Sequence, residues 1–234
     1  MPEKRSHCGA DGACVLLRDR PEPVYEAVIF DLDGTVVDSV ELIITSFQHA
    51  AREILGLEFT PEETIKGVGK PLREQMVAIS PEHADDLVRS YREFNHREHD
   101  RMLKLYDGVR PLLVRLREAG VKLGLVTSKS RSTTQMAFDL TGIEPLFDST
   151  ICAEDTPRNK PLPDPILLCV ERLGVPAQRA VYVGDSPFDM QAAHAAGVDS
   201  VAVTWGVFSE EVLAAEKPGK LVHTISELAD VLGI

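Results

Sequence analysis

The sequence contains few cysteines, and none of them stands in a pairing typical of structural cysteines. The four are Cys8, Cys14, Cys152 and Cys169, and no two are spaced as C-x-x-C. Disulfide scaffolds and zinc ribbons depend on such clustering. A chain of 234 residues, 44% of them hydrophobic, can bury a core without disulfide bonds or structural metal ions. We therefore expect free thiols, at positions 8 and 14 as well, where a metal or redox pair is the alternative interpretation.

Long apolar runs are also missing. No stretch approaches the roughly 18 apolar residues that a membrane-spanning helix requires. Residues 13–17 are apolar, but the run is too short for a signal peptide and ends at Arg18. We expect a cytoplasmic protein with no membrane partner.

Basic residues are outnumbered, because 25 Lys and Arg stand against 37 Asp and Glu, for a formal net charge of −12. Proteins that bind nucleic acid use clustered Lys and Arg to neutralise phosphates, so nucleic acid is not an expected partner. The same acidic surplus repels any anionic substrate unless a metal or local cations reverse the field at the site.

Strand and helix patterns alternate along most of the chain. Residues 1–23 mix charges, Gly and Pro without apolar periodicity, and we expect them to form a poorly ordered leader. Four apolar segments then resemble buried strands that end in polar residues: 25–30, 121–126, 149–152 and 180–183. Helical patterns that stop before Gly accompany them at 110–119, 133–140, 163–173 and 188–196. The alternation predicts an α/β fold with a parallel sheet covered by helices on both faces.

Residues 39–106 interrupt this alternation with helical signals and no convincing strand. Thr60-Pro61-Glu62-Glu63 forms a capping box with Pro at the first helical position, and Ser80-Pro81 starts another helix in the same way. Because the segment follows the first strand, we expect a small helical cap over the carboxyl edge of the sheet. The predicted organisation is a leader (1–23), a core (24–38 and 107–234) and a cap (39–106).

Acidic residues follow two of the predicted strands. Asp31 and Asp33 are two residues apart after the first strand, so one carboxylate can attack while the other moves a proton. Asp185 and Asp189 follow the strand at 180–183. Parallel strands bring their carboxyl ends to one edge, where bare carboxylates repel one another. A hard divalent cation, with Mg²⁺ the natural candidate, relieves that repulsion and draws in a phosphoryl group.

Four motifs, in this order, resemble those of the haloacid dehalogenase superfamily of phosphotransferases. They are Asp31-Leu32-Asp33-Gly34-Thr35, Val126-Thr127-Ser128-Lys129-Ser130, Lys160-Pro161-Leu162-Pro163-Asp164-Pro165 and Gly184-Asp185 through Asp189. The resemblance covers about residues 25–234 and implies a Rossmann-like catalytic core. The phosphatases of the superfamily carry threonine, and not a carboxylate, at the position that matches Thr35, so the resemblance favours a phosphatase.

The resemblance also implies a role for each motif residue in catalysis. Asp31 is the expected nucleophile, which forms an aspartyl phosphate. Asp33 is the expected acid for the leaving oxygen and then the base that activates water. Thr127 and Ser128 would bind the phosphoryl group, and Lys160 would neutralise charge on the phosphate and on Asp31. These roles agree with the charge that spreads over phosphoryl oxygens in the transition state.

A metal site follows from the same resemblance. The Asp31 carboxylate, the Asp33 carbonyl and Asp185 would hold Mg²⁺, with Asp189 outside the direct ligands or as an occasional one. Without the resemblance, plainer interpretations stand: Thr127 as a helix cap, Lys160 as a solvated lysine, and Asp189 as a first-turn acid at a helix N-terminus.

The predicted cap resembles that of a subgroup containing phosphoglycolate phosphatase, a related pyrophosphatase and beta-phosphoglucomutase. Lys70 and Arg73, in the loop at 66–73, are positioned to meet a second anionic group on the substrate, or else they only start a solvated helix. The expected partner is a small phosphate ester, with 2-phosphoglycolate as first choice. Pyrophosphate and sugar phosphates, including mutase chemistry, are the enzymatic alternatives. A module that binds a phosphorylated metabolite or a protein without turnover is the alternative from another class.

Several other polar residues carry plainer expectations. His83, His96 and His99 lie in a polar helical stretch of mixed charge, which favours a solvated face over a metal site. Asp38 and Ser39 are expected to form a hinge or helix cap at the start of the insertion.

Overall fold

The computed structural model describes residues 24–234, so the leader at 1–23, with Cys8 and Cys14, lies outside the described residues. The described strands are β1 (Ala27–Phe30), β2 (Val37–Asp38), β3 (Lys104–Leu105), β4 (Lys122–Val126), β5 (Ser149–Ile151), β6 (Ala180–Gly184), β7 (Asp199–Val203) and β8 (Lys220–Val222). The helices are α1 (Val40–Leu55), α2 (Pro61–Ile65), α3 (Leu72–Ile79), α4 (Ala84–Met102), α5 (Val109–Glu118), α6 (Arg131–Thr141), α7 (Asp164–Leu173), α8 (Pro187–Ala196), α9 (Glu210–Ala215) and α10 (Ile225–Leu232).

Six strands form one parallel sheet, in the order β5-β4-β1-β6-β7-β8. Every residue of the central strand β1 is buried, and its side chains alternate between two apolar layers. Val28 and Phe30 belong to an apolar cluster that includes residues of α5, α6 and α10, whereas Ala27 and Ile29 belong to a cluster that includes residues of α7 and α8. The predicted α/β fold, with helices on both faces of a parallel sheet, is confirmed.

The order of the strands locates a binding crevice. From β1 the chain passes to β4 and β5 on one side, and then returns to place β6 against the other side of β1. Connections therefore leave β1 and β6 in opposite directions, which opens a crevice at their carboxyl ends. The residues after β1 and β6 are the two predicted acidic clusters.

Helices α1 to α4 form the insertion between β1 and the rest of the sheet, and they share a small apolar cluster built around Phe47, Met76 and Leu87. The predicted capping box is present, since Thr60 Oγ1 accepts from Glu63 N at 3.2 Å and Glu63 Oε2 accepts from Thr60 N. Residues Pro81–His83 form a 3₁₀ turn that leads directly into α4. The division of the chain into core and cap stays a prediction.

The insertion was expected to contain no strand, and this expectation is wrong for β3. Its two residues pair antiparallel with β2, with Val37 opposite Leu105. The pairing joins the segment that enters the insertion to the segment that leaves it. Strands of two residues are too short for any hydrophobic period to reveal. Within residues 24–234, no helix combines the length and apolar character needed to cross a bilayer.

Candidate active site

Asp31 lies where β1 ends, at the crevice between β1 and β6. The loop that follows is tight, because the carbonyl of Leu32 accepts hydrogen bonds from the backbone N–H groups of Val36 and Val37. Gly34 has φ +77°, and a Cβ there would lie 2.1 Å from Asp185 Oδ2. Only a residue without a side chain lets the loop after β1 approach Asp185 this closely.

Asp185 follows β6 and is 2% exposed. Its Oδ2 accepts from Val207 N at 2.7 Å, and its Oδ1 accepts from Thr35 Oγ1 at 3.3 Å. Gly206 approaches it from the other side, where a Cβ would lie 2.2 Å from Oδ2. The carboxylate is therefore held firmly between two glycines.

Asp31, Asp185 and Asp189 form a compact acidic cluster, with one carboxylate oxygen from each lying within 4.8 Å of the others. The Lys160 ammonium joins this cluster at 2.7 Å from both Asp31 Oδ1 and Asp189 Oδ1. The ammonium also donates to the Tyr182 hydroxyl at 3.0 Å, and the whole group is buried. The structure brings these predicted residues together, although more than 150 residues of sequence separate the first from the last.

The oxygens of Asp189 are already in use. Oδ1 accepts from Lys160 and Tyr182, and Oδ2 accepts from the backbone and hydroxyl of Ser186. Ser186 is also the N-cap of α8, in a capping box with Asp189. This arrangement suits Asp189 to orienting Lys160. In contrast, Asp31 Oδ2 accepts no hydrogen bond from the described residues, so it faces the crevice free to react or to bind a cation.

Asp33 is partly buried, and its Oδ1 accepts from Ser39 Oγ and from Lys129 Nζ. Ser39 precedes α1 at the N-cap position without bonding the helix, so its hydroxyl serves Asp33 instead. Sequence reasoning did not assign Lys129 a role at the site. The signal for it was its place in the polar run that follows β4.

The residues after β4 have divided tasks. Thr127 Oγ1 accepts from Lys129 N at 3.1 Å, and Ser130 is the residue that caps α6. Ser128 Oγ donates to the carbonyl of Gly69, in the loop of the insertion, at 2.6 Å. This hydrogen bond joins the insertion to the edge of the sheet directly above the acidic cluster.

A cavity of about 260 Å³ lies between the sheet edge and the insertion. Asp31, Asp33, Asp185, Thr127 and Ser128 line it from the sheet. From the insertion it is lined by the predicted Lys70 and Arg73 together with Tyr91, Arg92, Asn95 and His96. The predicted residues from both parts of the chain thus share one cavity, except that Lys160 and Asp189 lie beneath its floor.

The expectation of a solvated histidine face is wrong for His99. Its side chain is fully buried in α4, with Nδ1 2.7 Å from Asp100 Oδ1. His96, by contrast, is exposed and lines the cavity. The buried face of α4 includes the polar residues Ser90, Asn95 and His99, so residue type alone does not reveal that His99 is buried.

A model of one enzyme family, described as haloacid dehalogenase-like hydrolase, matches residues 28–203. This chain belongs to the haloacid dehalogenase-like hydrolases. The match includes all four motifs, so the expected family is confirmed, and with it an enzyme of the phosphatase type.

This hydrolase resembles known proteins over nearly all of its described length. A provisionally named pyrophosphatase PpaX of Caldanaerobacter subterraneus subsp. tengcongensis is 39% identical over 206 residues, which cover 88% of this chain and 94% of the relative. The pyrophosphatase PpaX of Bacillus pumilus is 36% identical over 212 residues, covering 91% and 98%. A crystal structure from Lactobacillus plantarum, provisionally named phosphoglycolate phosphatase, superposes with a TM-score of 0.80 at 27% identity, covering 88% of this chain and 99% of the other.

Burial controls the ionisation of the acidic cluster in this hydrolase. It raises the pKa of Asp31 to about 7, against the opposing effect of the Lys160 ammonium. Burial, followed by the charges of Asp189 and Asp31, raises the pKa of Asp185 well above its ordinary value. Burial alone would lower the pKa of Lys160, but Asp189 and Asp31 outweigh it and raise that pKa. Asp31 therefore retains a proton over part of the neutral pH range, and a cation that binds there must displace it.

We predict that Lys160→Met disables the hydrolase and destabilises it. Removing the ammonium leaves Asp31 and Asp189 buried without their cation, which costs about 3 kcal/mol of unfolding free energy. Phosphatase activity should fall by at least about a hundredfold, since a fixed positive charge is lost at the reacting phosphate. Urea denaturation and steady-state kinetics measure the two effects. The exposed Lys220→Met is the matched control, and equal behaviour of the two variants would contradict the role given to Lys160.

A second prediction concerns Gly69, in the loop that contacts the sheet edge. Its φ is +104°, and a Cβ there would lie 2.7 Å from Phe188 Cδ2. Gly69→Ala should hold the insertion away from the sheet and lower kcat/KM by about tenfold, as expected when closure over a site is impaired.

Gly56→Ala supplies the control for this variant. Gly56 also has a positive φ, +67°, but a Cβ there meets nothing within 4 Å. Gly56→Ala should lower the free energy of unfolding by about 1 kcal/mol through backbone strain alone. Its kcat/KM should stay near that of the parent protein. Adding Phe188→Ala to Gly69→Ala should restore part of the lost activity. Equal kinetics for the Gly69 and Gly56 variants would refute the steric explanation.

Proposed function

We propose that this hydrolase is a Mg²⁺-dependent phosphohydrolase that works through an aspartyl phosphate on Asp31. The observation that carries the proposal is the buried cluster of Asp31, Asp185, Asp189 and Lys160 at the crevice between β1 and β6. It offers a carboxylate nucleophile, a fixed cation and an open cavity above them. The proposed substrate is a small phosphorylated anion, with inorganic pyrophosphate as first candidate.

The donor set fits Mg²⁺. Asp31 Oδ2 has no other partner among the described residues, and Asp185 lies within reach of the same point. These two carboxylates and the backbone carbonyl of Asp33 are the proposed ligands, all of them the hard oxygen donors that Mg²⁺ prefers. Asp189 is not proposed as a direct ligand because each of its oxygens already accepts two hydrogen bonds, whereas each oxygen of Asp185 accepts one. When bound, Mg²⁺ supplies positive charge that offsets the carboxylates and polarises the phosphoryl group.

The first chemical step uses Asp31 and Asp33. One carboxylate oxygen of Asp31 attacks phosphorus, the bond from phosphorus to the leaving oxygen breaks, and that oxygen takes a proton from Asp33 where it needs one. Asp33 Oδ1 already accepts two hydrogen bonds, so the transferred proton is carried on Oδ2. Lys160 and the backbone and hydroxyl groups after β4 stabilise the charge that spreads over the phosphoryl oxygens.

The second step reverses the roles. Asp33 accepts a proton from a water molecule, whose oxygen attacks the phosphorus of the aspartyl phosphate. The bond between phosphorus and Asp31 then breaks, which releases inorganic phosphate and regenerates the carboxylate. The same Asp33 side chain gives up and recovers one proton in each cycle.

Pyrophosphate is favoured by the relatives from Caldanaerobacter and Bacillus, which at 39% and 36% identity carry the name pyrophosphatase. A cavity of about 260 Å³ suits any small phosphorylated anion of this size. The second candidate is 2-phosphoglycolate, favoured by the structural neighbour from Lactobacillus plantarum and by the Lys70 loop. Mutase chemistry stays an alternative, because it would use the same Asp31, Asp33 and Lys160. Binding without turnover is disfavoured, because these three residues supply a nucleophile, a proton donor and a fixed cation.

We expect the purified hydrolase to release phosphate from pyrophosphate and, more slowly, from p-nitrophenyl phosphate when Mg²⁺ is present. Asp31→Asn should reduce both rates by at least about a thousandfold, since the amide cannot attack phosphorus. The kcat/KM values for pyrophosphate, 2-phosphoglycolate and a sugar phosphate rank the substrates. Activity that survives Asp31→Asn, or a complete absence of turnover in the parent protein, would contradict the proposal. Equal low rates on all substrates would remove pyrophosphate as the first candidate.

The raised pKa of Asp31, about 7, gives a prediction for metal binding. Below that pH the folded chain holds a proton that Mg²⁺ must displace, so the apparent affinity for Mg²⁺ should weaken as the pH falls from 8 to 6. Without Mg²⁺, the raised pKa of Asp31 contributes stability at low pH, and this contribution is lost as the pH rises from about 4 to about 7.

Thermal melts with and without Mg²⁺, at several pH values, measure this effect. Mg²⁺ should raise the Tm more at pH 8 than at pH 6, and Asp185→Asn should reduce the rise at both. A Mg²⁺ effect that is independent of pH, or that is preserved in Asp185→Asn, would count against this metal site.

A further inference from the structure

Helix α4, in the insertion, presents a polar wall of side chains to the same cavity. Tyr91, Arg92, Asn95 and His96 line this wall, at spacings that place them on one face of the helix. Asn95 is buried and its side-chain amide donates to Ser46 Oγ in α1 at 3.1 Å, which fixes this face of α4 against its neighbour.

Arg92 differs from the other cations that line the cavity because, among the described residues, it has neither a carboxylate partner nor an aromatic ring against it. The other cations each have a partner: Lys129 with Asp33, Arg73 with Asp85 at 3.1 Å, and Lys70 with the Phe188 ring at 5.0 Å. Because the Arg92 guanidinium has no carboxylate partner among the described residues, its N–H groups are available to donate paired hydrogen bonds to a ligand. In a chain of net charge −12, such an unneutralised cation inside a cavity is the kind of local field that an anionic ligand requires.

His96 lies one turn further along α4, and its side chain differs from that of Arg92 in charge. Burial, followed by the charges of His99 and Arg92, lowers the pKa of His96. The imidazole is therefore neutral at physiological pH and offers one N–H and one lone pair. Arg92 supplies the positive charge on this face, and His96 supplies a neutral hydrogen-bonding neighbour.

We propose that Arg92 is a specificity-determining residue that binds the non-transferred anionic group of the substrate, while Asp31 attacks the transferred phosphoryl group. Both residues line the same cavity, Asp31 from the sheet and Arg92 from the insertion, an arrangement that suits a short substrate with an anion at each end. A second phosphate suits the fork of Arg92, and so does a carboxylate. The proposal rests on the proposed function for its catalytic side, but the recognition itself is testable without turnover.

Binding of three unreactive probes separates recognition from catalysis. Methylenediphosphonate carries two phosphonate groups, phosphonoacetate carries one phosphonate and one carboxylate, and methylphosphonate has no second anion. By calorimetry with Mg²⁺, we expect the parent protein to bind methylenediphosphonate at least about tenfold more tightly than methylphosphonate, a difference of about 1.4 kcal/mol. Arg92→Gln should abolish that difference and leave the Kd for methylphosphonate unchanged.

Arg89→Gln is the matched control on the same helix. Arg89 lies one turn before Arg92, pairs with Asp86 and does not line the cavity. This variant should keep the preference of the parent protein for the doubly anionic probe. Whether phosphonoacetate follows methylenediphosphonate or methylphosphonate decides between a carboxylate and a phosphate as the second group.

Kinetics give an independent readout. Arg92→Gln should raise KM for the best doubly anionic substrate by about tenfold and change kcat/KM for p-nitrophenyl phosphate by less than about twofold. Equal binding of methylenediphosphonate and methylphosphonate by the parent protein would overturn the inference. So would a preference that survives Arg92→Gln, or equal losses on both substrates. If the preference depends on Arg92 but no substrate is hydrolysed, the recognition site stands and the proposed function fails.

Discussion

The buried ammonium of Lys160 is the interaction on which the acidic site depends. Three carboxylates share a space less than 5 Å across, away from water, where like charges repel strongly. Lys160 contacts two of them directly, and Tyr182 and Ser186 satisfy the remaining oxygens of Asp189. One oxygen of Asp31 is left without a protein partner. The contacts that offset the repulsion between these carboxylates therefore also leave Asp31 available as a nucleophile and as a ligand for a cation.

The sheet and the insertion contribute different things to this site. Buried parallel strands fix Asp31 and Asp185 on rigid elements, and glycines at positions 34 and 206 allow the backbone to close around them. The insertion adds a wall of side chains that vary in charge and length, tied to the sheet edge through Ser128 and Gly69. Under the proposed function, chemistry at phosphorus takes place at the rigid sheet edge, and the surface above it recognises the rest of the substrate.

The sequence was a good guide where one residue type had a single physical reason to be present. Apolar runs that end in Asp predicted β1 and β6, and a Gly after each helical pattern predicted where the helices end. Asp31, Asp33, Asp185 and Lys160 were predicted together through four ordered motifs, and the structure places them around one crevice. The assignment of their catalytic roles stays a prediction.

Features that depend on distant packing were not accessible in the same way. Burial of His99, pairing of β2 with β3, and the ion pair of Lys129 with Asp33 each need a partner far away in the sequence. Arg73 and Arg92 illustrate the same limit, because nothing local distinguishes the arginine that pairs with Asp85 from the one that forms no ion pair with the described residues. Local patterns identify the elements and the chemistry, but tertiary contacts decide which charges are free.

The central claim is that phosphorus becomes covalently bound to Asp31, and chemical trapping tests it most directly. The hydrolase would be mixed with substrate and Mg²⁺, quenched in acid within one turnover, and treated with borohydride, which reduces an aspartyl phosphate to homoserine. Peptide mass spectrometry would then locate the altered residue. The account predicts homoserine at position 31 alone, dependent on substrate; turnover without any modification there, or trapping at another carboxylate, would contradict it.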